Sequence, residues 1–224
     1  MAFALIPLFP LPLVLFPGQV RQLRIFEPRY RAMLQDCLTY QMPFGLVLAR
    51  PPRPDGEESL PHEIGTTAYI TDVERLQDGT FGINIQGGER FRITAFKHDK
   101  PYLQGIVEPM PMVETDDERV RPLHRRLSEL LPTYLEALTQ ASGFRYQVHV
   151  LPEEPEHLGY LTAIVLQTNN ETKQELLSIR QLPRFLAQNI RLLRSELDLM
   201  EWIIRTIEQT NATGFGTGGW MNLN

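Results

Sequence analysis

The chain has 224 residues, 42% hydrophobic and 22% charged, with a formal net charge of −5. That is the composition of a globular protein large enough to bury a core without staples, and the acidic balance disfavours a general nucleic-acid binder. A single cysteine, Cys37, rules out an internal disulfide and fits a reducing, cytoplasmic setting.

The first sixteen residues are uncharged and apolar, but no basic segment precedes them, and Pro7, Pro10, Pro12 and Pro17 punctuate the run. They read as an edge strand or extended segment rather than a signal peptide or membrane span. After Pro17-Gly18, Leu23 and Ile25 alternate with Gln22 and Arg24 in a second strand. A helix is expected to open near Glu27, with Pro28 at its first position. Tyr30, Met33, Leu34, Cys37 and Leu38 share one face of it. Phe44–Leu48 is a short buried strand, and the proline-rich Arg50–Pro61 is a loop. Asp78-Gly79 marks a turn between two strands. Gly87-Gly88 reads as a second turn, between the alternating sets Phe81-Ile83-Ile85 and Phe91-Ile93-Ala95. Pro101–Val107 is a last strand, and the series suggests a closed or nearly closed sheet.

The pattern turns helical at Glu114-Thr115-Asp116-Asp117-Glu118, where Thr115 or Asp116 is the expected cap. Leu123, Leu127, Leu130, Leu131, Leu135 and Leu138 form a stripe that Pro132 is expected to kink or split. Two shorter helices follow over Glu153–Leu166, with Pro155 in its first turn, and over Glu171–Arg180. In the last helix Leu186, Ile190, Leu193, Leu197, Met200, Ile204 and Ile207 step by four and three as a heptad seam. A bundle within one chain is the first reading of that seam, and pairing of two chains in a homodimer is the second. From Asn211 the chain is uncharged and glycine-rich, a flexible tail carrying Phe215 and Trp220. The expected organisation is α+β: a β-rich lobe over 1–114, a helical lobe over 115–210 and a tail over 211–224.

The opening Leu5–Gly18, followed by Ile25-Phe26-Glu27-Pro28-Arg29-Tyr30-Arg31, resembles the start of the amino-terminal domain of Lon proteases. The resemblance continues through Phe44-Gly45-Leu46-Val47, Gly65-Thr66-Thr67-Ala68, Asp78-Gly79, Gly88–Ile93, Pro101-Tyr102-Leu103 and Lys173–Leu177. Each motif is turn chemistry plus core pattern; their order over some two hundred residues is what is specific. It implies a twisted, barrel-like sheet lobe of the PUA-like type joined to a helical lobe, and a role in recognising substrate polypeptides. A phosphate-binding loop needs Gly-Lys, which never occurs in the sequence. The three lysines (Lys97, Lys100, Lys173) accompany no serine in the family's peptidase pattern. The chain therefore reads as a free-standing recognition module without motor or peptidase, and not as an enzyme.

No catalytic residue, cofactor or metal is expected. Cys37 lies on the apolar stripe and reads as packing. Glu154 and His157 have metal-site spacing but no matching pair on another helix. An RNA-binding PUA-like module is one alternative. It would use Arg21, Arg24, Arg29 and Arg31, or Arg119, Arg121, Arg125 and Arg126, which read first as ion-pair partners. A structural or regulatory subunit pairing through the heptad helix is another. The favoured partners are unfolded or partner polypeptides, with a protease as recipient, and neither nucleic acid nor a membrane. The candidate contact residues are Phe16, Phe26, Tyr30 and Met33 around the first helix, and Phe215 and Trp220 in the tail.

Overall fold

The computed structural model describes residues 4–52, 59–143 and 150–212, with side chains described through Trp202 and at Thr206. The elements run β1 (Ala4–Leu11), β2 (Val20–Ile25), α1 (Pro28–Tyr40), β3 (Phe44–Leu48), β4 (Ile64–Arg75), β5 (Phe81–Lys97), β6 (Gln104–Pro109), α2 (Val120–Ser142), α3 (Pro155–Val165), α4 (Asn170–Ser178) and α5 (Leu182–Ala212). The expected α+β architecture is present, with a mixed six-stranded sheet, helices after it, and a long last helix.

The sheet order is β2-β5-β4-β3-β1-β6, and β6 pairs back onto β5. β5, β4, β3, β1 and β6 thus close a ring, with β2 added outside it. Closure is possible because β5 is 17 residues long and divides its partners. Its first half, Phe81–Gln86, pairs β2. Its second half, Phe91–Lys97, pairs β6. Asp78-Gly79 makes the expected turn, with Gly79 at φ 78°.

Gly87-Gly88 does not make a turn. β5 runs straight through it, and the β4–β5 register shifts there between Thr66 and Ala68. The glycines answer a different need. A Cβ on Gly87 would lie 2.2 Å from the Phe16 carbonyl oxygen, and one on Gly88 would lie 2.4 Å from the Tyr69 ring. Close backbone approach at a bulge, not chain reversal, selects glycine here.

β1 is not an edge strand. It pairs β6 antiparallel over residues 4–7 and β3 in parallel over residues 8–11. The change of partner midway lets Pro7 and Pro10 lack their N–H where one side of the strand has no ladder to complete.

α1 caps the sheet with four of its five predicted face residues: Tyr30, Met33, Leu34 and Cys37 are buried against Phe9, Phe44 and Ile85, among others, while Leu38, at the edge of that face, is exposed. α2 begins later than expected, at Val120. Residues 114–119 form turns, with Glu114 left-handed at φ 58° and Asp117 accepting the Arg119 N–H. Pro132 does not split α2, because its exposed side frees a carbonyl to water while Leu127, Leu131, Tyr134, Leu135 and Leu138 stay buried. Of the α5 seam, Leu186, Ile190, Leu193, Leu197 and Met200 are buried in the same cluster as the α2 stripe. The chain's own bundle covers them. The side chains of Ile204 and Ile207 lie outside the described residues.

The sheet and the helices share a core. Val14, Phe16 and Leu48 belong to the helical cluster, and the Phe16 ring lies 6.4 Å from Tyr160, itself 5.4 Å from Phe185. Polar links reinforce the junction. Arg90 of β5 is buried and donates through Nη1 to the carbonyls of Leu177 (2.9 Å) and Ile179 (2.6 Å) at the end of α4. Gln174 donates to the Ile64 carbonyl at 3.0 Å, and Val113 bridges to Gln181.

Two outcomes are expected in urea denaturation. Gly87→Ala will destabilise by about 1–3 kcal/mol, the cost of forcing a methyl into a filled contact. Gly82→Ala, in the same strand but with no atom nearer than 3.9 Å, will be near neutral. Arg90→Met will cost about 2–4 kcal/mol because two buried carbonyls lose their donor, and Arg90→Lys will recover only part of it.

Candidate functional site

The candidate contact residues separate on burial. Phe16 (0% exposed) and Met33 (1%) are core side chains, and Tyr30 (7%) packs its ring 4.3 Å from that of Phe9. Their apolar character serves the core, so a polypeptide at the surface does not reach them. Phe26 is 60% exposed. Phe215 and Trp220 lie outside the described residues.

Phe26 directly follows Ile25, the last residue of β2, and among the described residues only one edge of β2 is paired, that with β5. The bonds to β5 fix which groups face outward. Gly87 donates to the Gln19 carbonyl at 2.8 Å. With Val20 opposite Gln86 and each step antiparallel, Arg21, Leu23 and Ile25 exchange hydrogen bonds with β5. The N–H and C=O groups of Val20, Gln22 and Arg24 then turn away from the sheet. Sequence reading missed this feature, because an edge depends on which strands become neighbours. The side chains around it are open: Val20 is 65% exposed, and Tyr69, which shares its row through Gln86, is 50% exposed.

A second stretch of β4, residues 69–75, runs on past the end of its pairing with β3. It differs in two ways: a register shift lies between Ile70 and Asp72, and Asp72 and Glu74 supply acids. The register shift discourages strand addition, and the charges differ in sign from Arg21 and Arg24 of β2. β2 (Val-Arg-Gln-Leu-Arg-Ile) has no bulge, no proline and no acid.

The second half of α1 is held by a polar contact to the segment that precedes β6. The Tyr102 hydroxyl donates to Asp36 at 2.6 Å and Lys100 donates to the same oxygen at 3.2 Å. The Tyr102 hydrogen bond, with help from Lys100, holds the Asp36 carboxyl below its ordinary range against the opposing effect of burial. Burial and the neighbouring carboxylate push the Tyr102 hydroxyl up.

Other chemistry considered in the sequence finds no constellation. Burial pushes the Cys37 thiol up to about 11, the state of a packing residue rather than a nucleophile. Glu156 accepts the Tyr160 hydroxyl at 2.8 Å, and among the described residues no three metal-ligating side chains cluster. Arg24 pairs Asp78, Arg29 pairs Glu27, Arg119 pairs Asp117 and Glu114, and Arg126 pairs Glu129. A 710 Å³ groove along α4 and α5 mixes Arg180, Arg184 and Arg191 with Glu171 and Glu175. Among the described residues no helix is long and apolar enough to cross a membrane.

Comparison with known proteins agrees with this geometry. Residues 5–195 match the model of the ATP-dependent protease La (LON) substrate-binding domain. The Lon protease of Phenylobacterium zucineum is 31% identical over 197 residues, 83% of this chain and 24% of that protein. The Lon protease of Anaeromyxobacter dehalogenans is 23% identical over 205 residues, 88% of this chain and 24% of its own. The chain thus spans about a quarter of the length of the curated relatives it matches. Among solved structures, a Lon N-terminal domain protein from Xanthomonas campestris superposes with a TM-score of 0.62 at 28% identity, covering 83% of this chain and 96% of that one. The N-terminal domain of a Mycobacterium avium complex Lon protease shares the fold at a TM-score of 0.65 and 20% identity, covering 85% and 98%.

The Asp36 contact has a signed pH dependence. A carboxyl whose folded pKa is depressed contributes fully above its unfolded value, near 3.9, and loses that contribution as pH falls through the folded value. Tyr102→Phe is expected to cost about 1–2 kcal/mol at pH 7, and the gap from wild type in thermal melts is expected to narrow below pH ~4.

Proposed function

This chain belongs to the LON substrate-binding domain family, and from that premise we propose that it is a non-catalytic module that binds polypeptides. The observation that carries the reading is the family match over residues 5–195. The site supports it: exposed Val20, Phe26 and Tyr69 lie along or beside a strand edge that no other strand among the described residues pairs. Such a surface suits an extended or unfolded polypeptide, because backbone groups recognise any sequence in strand conformation and apolar side chains add area.

In this reading the module captures segments that folded proteins hide and presents them to a protease, with no ATP use and no bond cleavage of its own. It works in the cytoplasm. Four of the eight arginines an RNA-binding module would use pair with carboxylates, and the buried part of the heptad seam packs in the chain's own bundle, so both alternatives have less surface to work with.

The test uses the full chain with fluorescently labelled, reduced and carboxymethylated lactalbumin, followed by anisotropy. Saturable binding is expected, competed by other unfolded proteins and not by their native forms. Phe26→Ser is expected to weaken it without lowering the melting temperature. Absence of binding, ATP hydrolysis, or cleavage of the labelled protein would each overturn the reading.

A further inference from the structure

We propose that the free edge of β2 takes up an extended acidic polypeptide segment as an added strand, a mode of recognition that rests on the polypeptide-binding reading above. Three residues, Val20, Gln22 and Arg24, turn their N–H and C=O groups outward, and they are spaced two apart, as the ladder of a new strand requires. The edge strand is 6 residues long, about 20 Å at the usual rise.

Charge selects the occupant. The chain as a whole is acidic, at −5. Between Val20 and Arg31, however, stand four arginines (Arg21, Arg24, Arg29, Arg31) and one acid, Glu27. Asp78 engages Arg24 and Glu27 engages Arg29, while Arg21 and Arg31 make no ion pair among the described residues. Arg21 also lies near enough to Lys173 of α4 to disfavour a second positive charge there. An incoming strand therefore meets, beside its backbone ladder, a cation with no ion pair among the described residues, with Leu23 on the same face of β2 and Val20 on the other. The favoured segment alternates acids with apolar residues.

The same charges argue against a second copy of this chain. Pairing β2 with β2 would bring four arginines onto one ladder with no acid on either strand. The β4 stretch at residues 69–75, with its bulge and its own acids, is disfavoured for an acidic segment.

The experiment uses the full chain and a fluorescein-labelled peptide of about eight residues alternating glutamate with valine and threonine. Its partners are a lysine-for-glutamate version and a version N-methylated at its central residues, which keeps the side chains and removes the backbone donors. Gln22→Pro deletes one outward N–H and spares the bonds to β5, since that N–H faces away from the sheet. Arg21→Glu reverses the free cation at the surface. The acidic peptide is expected to bind the wild type. N-methylation and Gln22→Pro are each expected to weaken it at least about tenfold, a change of about 1.4 kcal/mol, and Arg21→Glu is expected to shift preference to the lysine peptide. Thermal melts establish that the variants fold; should Gln22→Pro not fold, the N-methylated peptide and Arg21→Glu decide. Equal binding of the N-methylated peptide, unchanged affinity of a folded Gln22→Pro, or a wild-type dimer that Gln22→Pro dissolves would overturn strand addition by an acidic segment. Polypeptide binding itself would survive those results if carboxymethylated lactalbumin still binds, and would fall with them if it does not.

Discussion

The junction between sheet and helices turns on one guanidinium. Arg90 leaves the middle of the longest strand, is buried, and closes on two carbonyls at the end of α4. Its charge is placed where the helix dipole favours a cation, and the Tyr160 ring stands 5.8 Å from it. Among the described residues no carboxylate forms an ion pair with it, and its Nη2 makes no hydrogen bond. Burial consequently lowers its pKa, and the energy of holding a charge there comes from the backbone acceptors. Such an arrangement is costly to half-satisfy. It ties the position of α4 to the register of β5, and Gln174 and Val113 repeat the tie at other points.

The length of β5 has two further effects. By sharing itself between β2 and β6, it closes the ring and leaves β2 outside. Closed sheets have no edges to protect, so the exposed ladder of this protein is concentrated where the ring was extended rather than spread over it. The bulge at Gly87-Gly88 sits between the two halves of the strand, at the point where Phe16 passes over it toward the helices. Barrel closure, the crossing of the chain and the exposed edge are consequences of one continuous strand.

Much of this was legible in the residues. Asp78-Gly79, the period-two sets around Ile83 and Phe91, the cap-proline start of α1 and the heptad seam of α5 are local signals, and local geometry decides them. The failures share a cause. Gly87-Gly88 has turn chemistry, but the demand on it comes from Phe16, seventy residues earlier in the chain. β1 has the prolines of an edge strand, yet its partners change midway, which no single-strand pattern records. Phe16, Tyr30 and Met33 were candidates because they are large and apolar near the opening motif, and the same properties put them in the core. Phe16 and Phe26 both fall between elements, where periodicity assigns no face, and only tertiary packing separates the buried Phe16 from the exposed Phe26. The β2 edge was invisible because pairing is a property of neighbours.

The pairing of Ala4–Pro7 with Gln104–Val107 has a temporal consequence. The half of β1 that pairs β6 settles late, since that partner lies about a hundred residues downstream, whereas the half that pairs β3 meets its partner sooner. At the ribosome's pace of ~5–20 residues per second, the apolar opening segment waits several seconds for that partner. The Arg90 tie waits longer, for Leu177 and Ile179. Newly made chains thus expose part of the apolar segment 5–16 until that partner emerges, and co-translational shielding of those residues favours efficient folding.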